Sequence, residues 1–397
     1  MSRKPPESAP LTEEDPGRIL VEDATGRRPF MRGILIHSLM ARGVDYDEAY
    51  RIANAVRERI RPRRIVRREE IARLAAEVLG PRAAALGPLP LAADILVTGR
   101  GEGTRFSKGF LSQSLLAAAV DPNDGFDVAR EIEDELVRRR TREIARHALR
   151  RLVHEALGRR IGTDAADRYL VWRGFQDSAR PLILLLGGTA GAGKTSLAHE
   201  VAHRLGITGV LSTDSIRQVM RLMLSPEIMP AIHTSSYEAH TVLDAPPGAE
   251  DPVVAGFRAQ ASVVSVGVRA MIDRAVAENS NLILDGVSIV PGMVGTSRYA
   301  TQAEVIFLVV ATLDAAAFRS RFAARGRDAR ARPPHHYLEN LDAILRIQEH
   351  FLELADAHDV PIVNNESFDR SVLSIIRHVT ETLRKKEGFD VARLLSA

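Results

Sequence analysis

Two periodicities divide the chain. Up to about residue 180 apolar residues recur at three- and four-residue intervals, as in DYDEAYRIANAVRERI (45–60) and GFDVAREIEDELVRR (125–139), the spacing of amphipathic helices. From residue 181 short apolar runs alternate with helical stretches, the signature of a parallel sheet with crossover helices. The runs PLILLLG (181–187), GVLST (209–213), NLILDG (281–286), AEVIFLVVA (303–311) and VPIVNN (360–365) predict five strands. Helices are expected at about 194–205, 215–224, 253–279, 314–325, 337–357 and 369–386.

The helical part repeats itself at a spacing of 76 residues: Ile19, Leu20, Val21, Phe30, Gly33, Leu35, Ser38, Leu39, Val44, Asp45 and Ala53 each meet the same residue type one spacing on. After a two-residue insertion, Leu74, Leu79 and Gly80 meet Leu152, Leu157 and Gly158. Each copy, 18–80 and 94–158, reads as a short strand, a polar turn and three helices, and an Ala- and Pro-rich linker (81–93) joins them. On the strand, the polar turn and the Phe-x-x-Gly-Ile/Phe-Leu helix start, both copies resemble the ATP-cone, a small regulatory nucleotide-binding module. The resemblance implies either an adenine-nucleotide sensor or a purely structural cone. The family usually carries a basic residue four after the Phe; this chain has Ile34 and Phe110 there, with Arg32 and Lys108 nearest.

With 397 residues, 45% hydrophobic and 26% charged, the chain has globular composition and length for two or three domains. The absence of cysteine excludes disulfides, thiolate catalysis and Cys-ligated metal sites, and makes a reducing cytoplasm the expected compartment. Residues 1–17 are polar and proline-rich, a flexible leader rather than a signal peptide, and no apolar run is long enough for a membrane span. Residues 1–180 carry 33 basic and 27 acidic groups, 181–397 carry 21 and 24. The basic residues of the first part are interleaved with apolar ones at helical spacing, and with 5% aromatics there is little to stack on bases, so no nucleic-acid partner is expected. Only five of the 54 basic residues are lysine, which makes a lysine in a phosphate loop conspicuous.

One lysine sits in such a loop. The run Gly188-Thr189-Ala190-Gly191-Ala192-Gly193-Lys194-Thr195, followed by Ser196, completes a G-x-x-x-x-G-K-T motif between an apolar strand and a helical pattern. Backbone N–H groups of the loop and the helix N-terminus cradle phosphate, Lys194 reaches the β- and γ-phosphates, and the Thr195 hydroxyl holds Mg²⁺. ATP and Mg²⁺ are the expected cofactors.

The second strand runs into Ser212-Thr213-Asp214-Ser215-Ile216-Arg217. Asp214 is placed to accept the proton of a phosphoryl acceptor and Arg217 to grip an anionic one; alternatively Asp214 caps the helix. Asp285 closes the third strand as a Walker B acid for the metal. Arginines at two- to four-residue intervals after the fourth strand, Arg325, Arg327 and Arg330 among them, suggest a lid over the phosphates. Between the second and third strands, His233, Thr234, Ser235 and Ser236 gather hydrogen-bonding groups suited to a small hydroxylated anion.

Together with TDSIRQVMR (213–221), DGVSIVPG (285–292) and HHYLENLDAILRIQEHF (335–351), these motifs resemble the 2-phosphoglycerate kinase family over about residues 95–385. The resemblance implies a P-loop nucleoside-kinase-like α/β domain (181–397) with parallel sheet and flanking helices, joined through a junction (159–180) to one cone, so that 18–80 is an extra copy. It implies transfer from ATP to 2-phosphoglycerate, with Gly188–Thr195 on ATP and Asp214, Arg217 and His233–Ser236 on a small phosphorylated acceptor. Where the family often has glutamate this chain has the shorter Asp285. Two rivals stay open: a kinase of the same fold acting on another hydroxylated acid or a polynucleotide end, and a non-catalytic adenylate sensor. No membrane partner is expected, and no oligomeric state is legible.

Overall fold

The computed structural model describes residues 19–23, 26–40, 44–83, 95–99, 101–243, 251–314, 318, 334–387 and 394–395. The chain divides into two compact units, Met1–Asp94 and Ile95–Ala397.

In the first unit β1 (Leu20–Asp23) pairs antiparallel with β2 (Gly26–Pro29) and parallel with β3 (Ile65–Arg67). Its helices are α1 (Arg32–Met40), α2 (Tyr46–Ile60) and α3 (Arg68–Leu79). Asp45 starts α2 by accepting the Glu48 N–H at 3.0 Å. The apolar stripe Ile52, Ala53, Val56 and Ile60 packs with Leu39 of α1 and Val66 of β3.

The second unit opens with the same arrangement. Strand β4 (Leu96–Gly99) pairs antiparallel with β5 (Gly101–Arg105) and parallel with β6 (Glu143–Ala145), beside α4 (Lys108–Leu115), α5 (Pro122–Arg138) and α6 (Arg146–Arg160). Val21 faces Val66 in one sheet as Val97 faces Ile144 in the other. Each copy therefore has two strands more than the hydrophobic pattern predicts. Those strands, such as GRRP, GEGTR and IVR, are only three to five residues long and each carries a charged residue, so they show no apolar alternation; backbone ladders to β1 and β4 define them. After α4 a tight turn puts Ala119 in the left-handed region (φ +56°) and buries Ala117 and Ala119 with Val171, Trp172 and Phe175 of α7 (Thr163–Gln176).

Five parallel strands follow: β7 (Leu182–Gly187), β8 (Gly209–Ser212), β9 (Leu282–Gly286), β10 (Glu304–Ala311) and β11 (Ile362–Asn364), in spatial order β11-β10-β7-β9-β8. The crossovers include α8 (Lys194–Leu205), α9 (Thr213–Met223), α10 (Pro252–Ala277), α11 (Pro334–Glu339) and α12 (Leu341–Ala357), and α13 (Phe368–Glu387) ends the fold. Leu182, Leu184 and Leu186 pack with α7, α8 and α13, while Ile183 and Leu185 pack with α9 and α10. A strand buried on both faces has no polar alternation to show, which is why LILLL is continuous. Each of those side chains contributes about 1.5–3 kcal/mol of burial.

The helix expected over 337–357 is interrupted at Asn340, whose side-chain amide donates to the His336 carbonyl at 2.9 Å. Most of the helix expected over 314–325 lies outside the described residues, as does the leader. No helix among the described residues is long and apolar enough to cross a membrane. The chain leaves β7 for β9 and β8 on one side and returns to β10 on the other. In parallel sheets ligands bind in the crevice at the carboxyl ends of strands around such a switch point.

Candidate active site

The phosphate loop occupies that crevice. It leaves β7 at Gly187 and enters α8 at Lys194. Gly188 has φ +139°, and a Cβ on it would stand 2.2 Å from the Val310 carbonyl oxygen, so no other residue fits where the loop crosses β10. Two buried side chains brace the loop from behind. Thr189 Oγ1 donates to the Ile344 carbonyl at 3.2 Å, and Asn365 Nδ2 donates to the Ala192 carbonyl at 2.8 Å. Because C=O and N–H of one peptide point in opposite directions, Asn365 aims the Gly193 N–H away from itself. Asn365 follows directly on β11 in the polar run VNNES.

Lys194 is 7% exposed and its Nζ donates to the Thr189 carbonyl at 2.6 Å across the loop. Thr195 and Ser196 follow on the exposed first turn of α8. Thr195 Oγ1 donates to Asp285 Oδ2 at 2.6 Å. Asp285 is 1% exposed at the tip of β9, and its other oxygen, Oδ1, is buried with no hydrogen-bond partner. Burial pushes the Asp285 carboxyl above its ordinary range; the Thr195 hydroxyl and the charges of Lys194 and His199 oppose that, and the Asp214 carboxylate adds to it. A buried carboxylate oxygen without a donor, beside a threonine hydroxyl, is a donor set that suits a hard cation such as Mg²⁺.

Ser212 pairs with Asp285 in the β8–β9 register and starts α9, its Oγ accepting the Ser215 N–H at 3.2 Å. Asp214 therefore does not cap the helix; it projects from the first turn, half exposed. Gly286 (φ +155°) lets β9 pass beneath this turn, since a Cβ there would fall 1.8 Å from Thr213 Oγ1.

Arg217 joins this helix to the segment 230–237. Its Nη2 donates to Asp214 Oδ1 at 3.1 Å, and its Nη1 donates to the carbonyls of Thr234 at 2.6 Å and Ile232 at 3.3 Å. The four polar residues of that segment divide in two. His233 Nε2 bonds the Leu224 carbonyl at 2.8 Å, and Thr234 Oγ1 donates to the Ala231 carbonyl at 3.1 Å, so both fold the segment. Ser235 is half-buried and Ser236 buried just beyond. Arg325, Arg327 and Arg330 lie outside the described residues.

No protein-family model matches the chain. Among curated proteins it is similar to the 2-phosphoglycerate kinase of Methanopyrus kandleri, 37% identical over 283 residues, which is 71% of this chain and 86% of that one. The 2-phosphoglycerate kinase of Pyrococcus furiosus is 35% identical over 72% of this chain and 94% of its own length. That of Methanothermobacter thermautotrophicus is 38% identical over 73% and 96%. Among solved structures, a shikimate kinase from Acinetobacter baumannii covers 54% of this chain and 98% of its own, at 16% identity and a TM-score of 0.31, a likeness too distant to argue from.

Proposed function

The chain belongs to the 2-phosphoglycerate kinase family, and we propose that it transfers the γ-phosphoryl group of ATP to the 3-hydroxyl of 2-phosphoglycerate, giving 2,3-diphosphoglycerate and ADP. The observation that carries this reading is identity above 35% over most of both chains with relatives of that name. The grouping of Lys194, Thr195, Asp285 and Asp214 around one crevice supports it.

The loop N–H groups and Lys194 hold the β- and γ-phosphates, the ammonium exchanging its Thr189 carbonyl for phosphate oxygens. The acceptor hydroxyl oxygen bonds to the γ-phosphorus as the bond from that phosphorus to the β–γ bridging oxygen breaks. The hydroxyl proton passes to Asp214, and ADP carries away the bridging oxygen. Arg217 holds Asp214 in place and lends positive charge beside it. Thr195 and Asp285 would hold Mg²⁺, which when bound neutralises phosphate charge. Catalysis is then mostly positioning of two anions in line. The first repeat is an addition to this machinery: the relatives align over 86–96% of their own length but only 71–73% of this chain.

The test is ADP release with 2-phosphoglycerate, 3-phosphoglycerate and glycerate offered separately. Turnover with the first, at least tenfold above either of the others, is expected. Preference for glycerate, or no acceptor-dependent turnover at all, overturns the assignment.

A further inference from the structure

We infer that Gln260 is a positioning residue that sets the acceptor side of the site, an inference that rests on the phosphoryl transfer proposed above. Gln260 is 2% exposed on α10, among apolar neighbours such as Phe257, Ala261 and Val264. Its Nε2 donates to the carbonyls of Ala231 at 2.5 Å and Thr234 at 3.2 Å. The Thr234 carbonyl is the same one that accepts from Arg217 at 2.6 Å. One backbone oxygen is thus gripped from two helices, and the guanidinium that grips it also holds Asp214.

Peptide geometry turns this grip into an orientation. With the Thr234 carbonyl fixed on Gln260 and Arg217, the Ser235 N–H of the same peptide points the opposite way, to the side of the segment away from both donors. That N–H and the hydroxyls of Ser235 and Ser236 are a donor set for an acceptor carrying carboxylate and phosphate oxygens. Helix α10 is shaped to back the whole segment. A Cβ on Gly256 would lie 2.3 Å from the His240 nitrogen, and one on Gly267 would lie 2.4 Å from Ile216 Cγ2 of α9. Positions 256, 260 and 267 fall on one helical face. That face therefore supports the turn at 230–233, the turn at 239–242 and the helix bearing Asp214.

Gln260→Met keeps the volume and removes the donor; Ser265→Ala, equally buried on α10 but bonded to Ser262 and Arg269, is the control. Two readouts are compared on the full chain: KM for 2-phosphoglycerate and for ATP, and backbone amide exchange over 230–237. Gln260→Met is expected to raise the acceptor KM about tenfold, the loss of one to two buried hydrogen bonds, with ATP KM within about twofold and faster exchange over 231–236. Ser265→Ala moves neither. If Gln260→Met does not fold, Gln260→Glu serves, because its neutral acid keeps one donor and its ionised form keeps none, so its acceptor KM, taken as a ratio to the parent's at each pH, rises with pH. An unchanged acceptor KM in a folded Gln260→Met, or exchange over 231–236 equal to the parent's, overturns the inference. A parent that turns over no 2-phosphoglycerate overturns the proposed function instead, and the exchange comparison then decides on the clamp alone.

Discussion

The Thr195 hydroxyl donates to Asp285 Oδ2 across 2.6 Å and so ties the first turn after the phosphate loop to the tip of the neighbouring strand. The bond satisfies one carboxylate oxygen and leaves Oδ1 buried without a donor. The two groups proposed above to hold Mg²⁺ are thereby fixed relative to one another by the protein itself.

Asp285→Asn is expected to lose at least about a hundredfold in turnover, since its amide cannot supply the negative charge. Stability moves the other way with pH. Burial raises the Asp285 pKa above 3.8, so the folded state binds more protons than the unfolded one in the window above that value. Stability from this group is fully present below 3.8 and falls as pH rises through the folded pKa. The melting temperature of Asp285→Asn relative to the parent should therefore climb as pH rises above the ordinary carboxylate range; a pH-independent difference contradicts the buried charge.

Lys194→Ala deletes the ammonium nearest the phosphates. Turnover should fall by about two to three orders of magnitude. The fold loses the bond to the Thr189 carbonyl and the positive charge beside Asp285, so the thermal midpoint, read by circular dichroism, should fall by about a few degrees.

Asp214→Asn separates chemistry from nucleotide binding. Ser212 caps the helix, so the substitution leaves α9 intact. We expect kcat to drop about a hundredfold with ATP affinity within about twofold, measured by steady-state kinetics and calorimetry.

Gly286→Ala forces a Cβ onto Thr213 Oγ1 at a backbone angle of +155°. It should destabilise by about 2–4 kcal/mol in denaturant unfolding. Gly206→Ala is the comparison: φ is +67° but nothing lies within 4 Å, so about 1 kcal/mol of backbone strain is all it should cost.

Removing residues 1–92 should leave a soluble enzyme with kcat within about twofold of the full chain, because Ile95–Ala397 is a compact unit by itself. Gel filtration and the ADP-release assay read this directly.

What was legible in the sequence was whatever burial or phosphate chemistry writes into it. The five parallel strands showed as apolar runs because both of their faces are covered, and Lys194 showed because lysine is scarce. Arg217 stood out as a candidate site residue, yet its bonds to the Thr234 and Ile232 carbonyls were not legible, since a partner's backbone leaves no trace in residue types. Gln260 and Asn365 were missed for the same reason: each is a lone amide whose work is done on carbonyls far along the chain, 26 and 173 residues away. The small strands β2, β3, β5 and β6 were hidden because ladder hydrogen bonds, not side chains, define them.

The turn that buries Ala117 and Ala119 joins the second copy of the repeat to the hydrophobic interior of Ile95–Ala397, where any side chain longer than a methyl group must displace Trp172 or Phe175 or their neighbours. Substitutions at Ala117 and Ala119 are therefore felt by the core beneath the parallel sheet as well as by the repeat. The first copy is a compact unit with a core of its own around Leu39, Ile52 and Val66, so its packing constraints are set by that core.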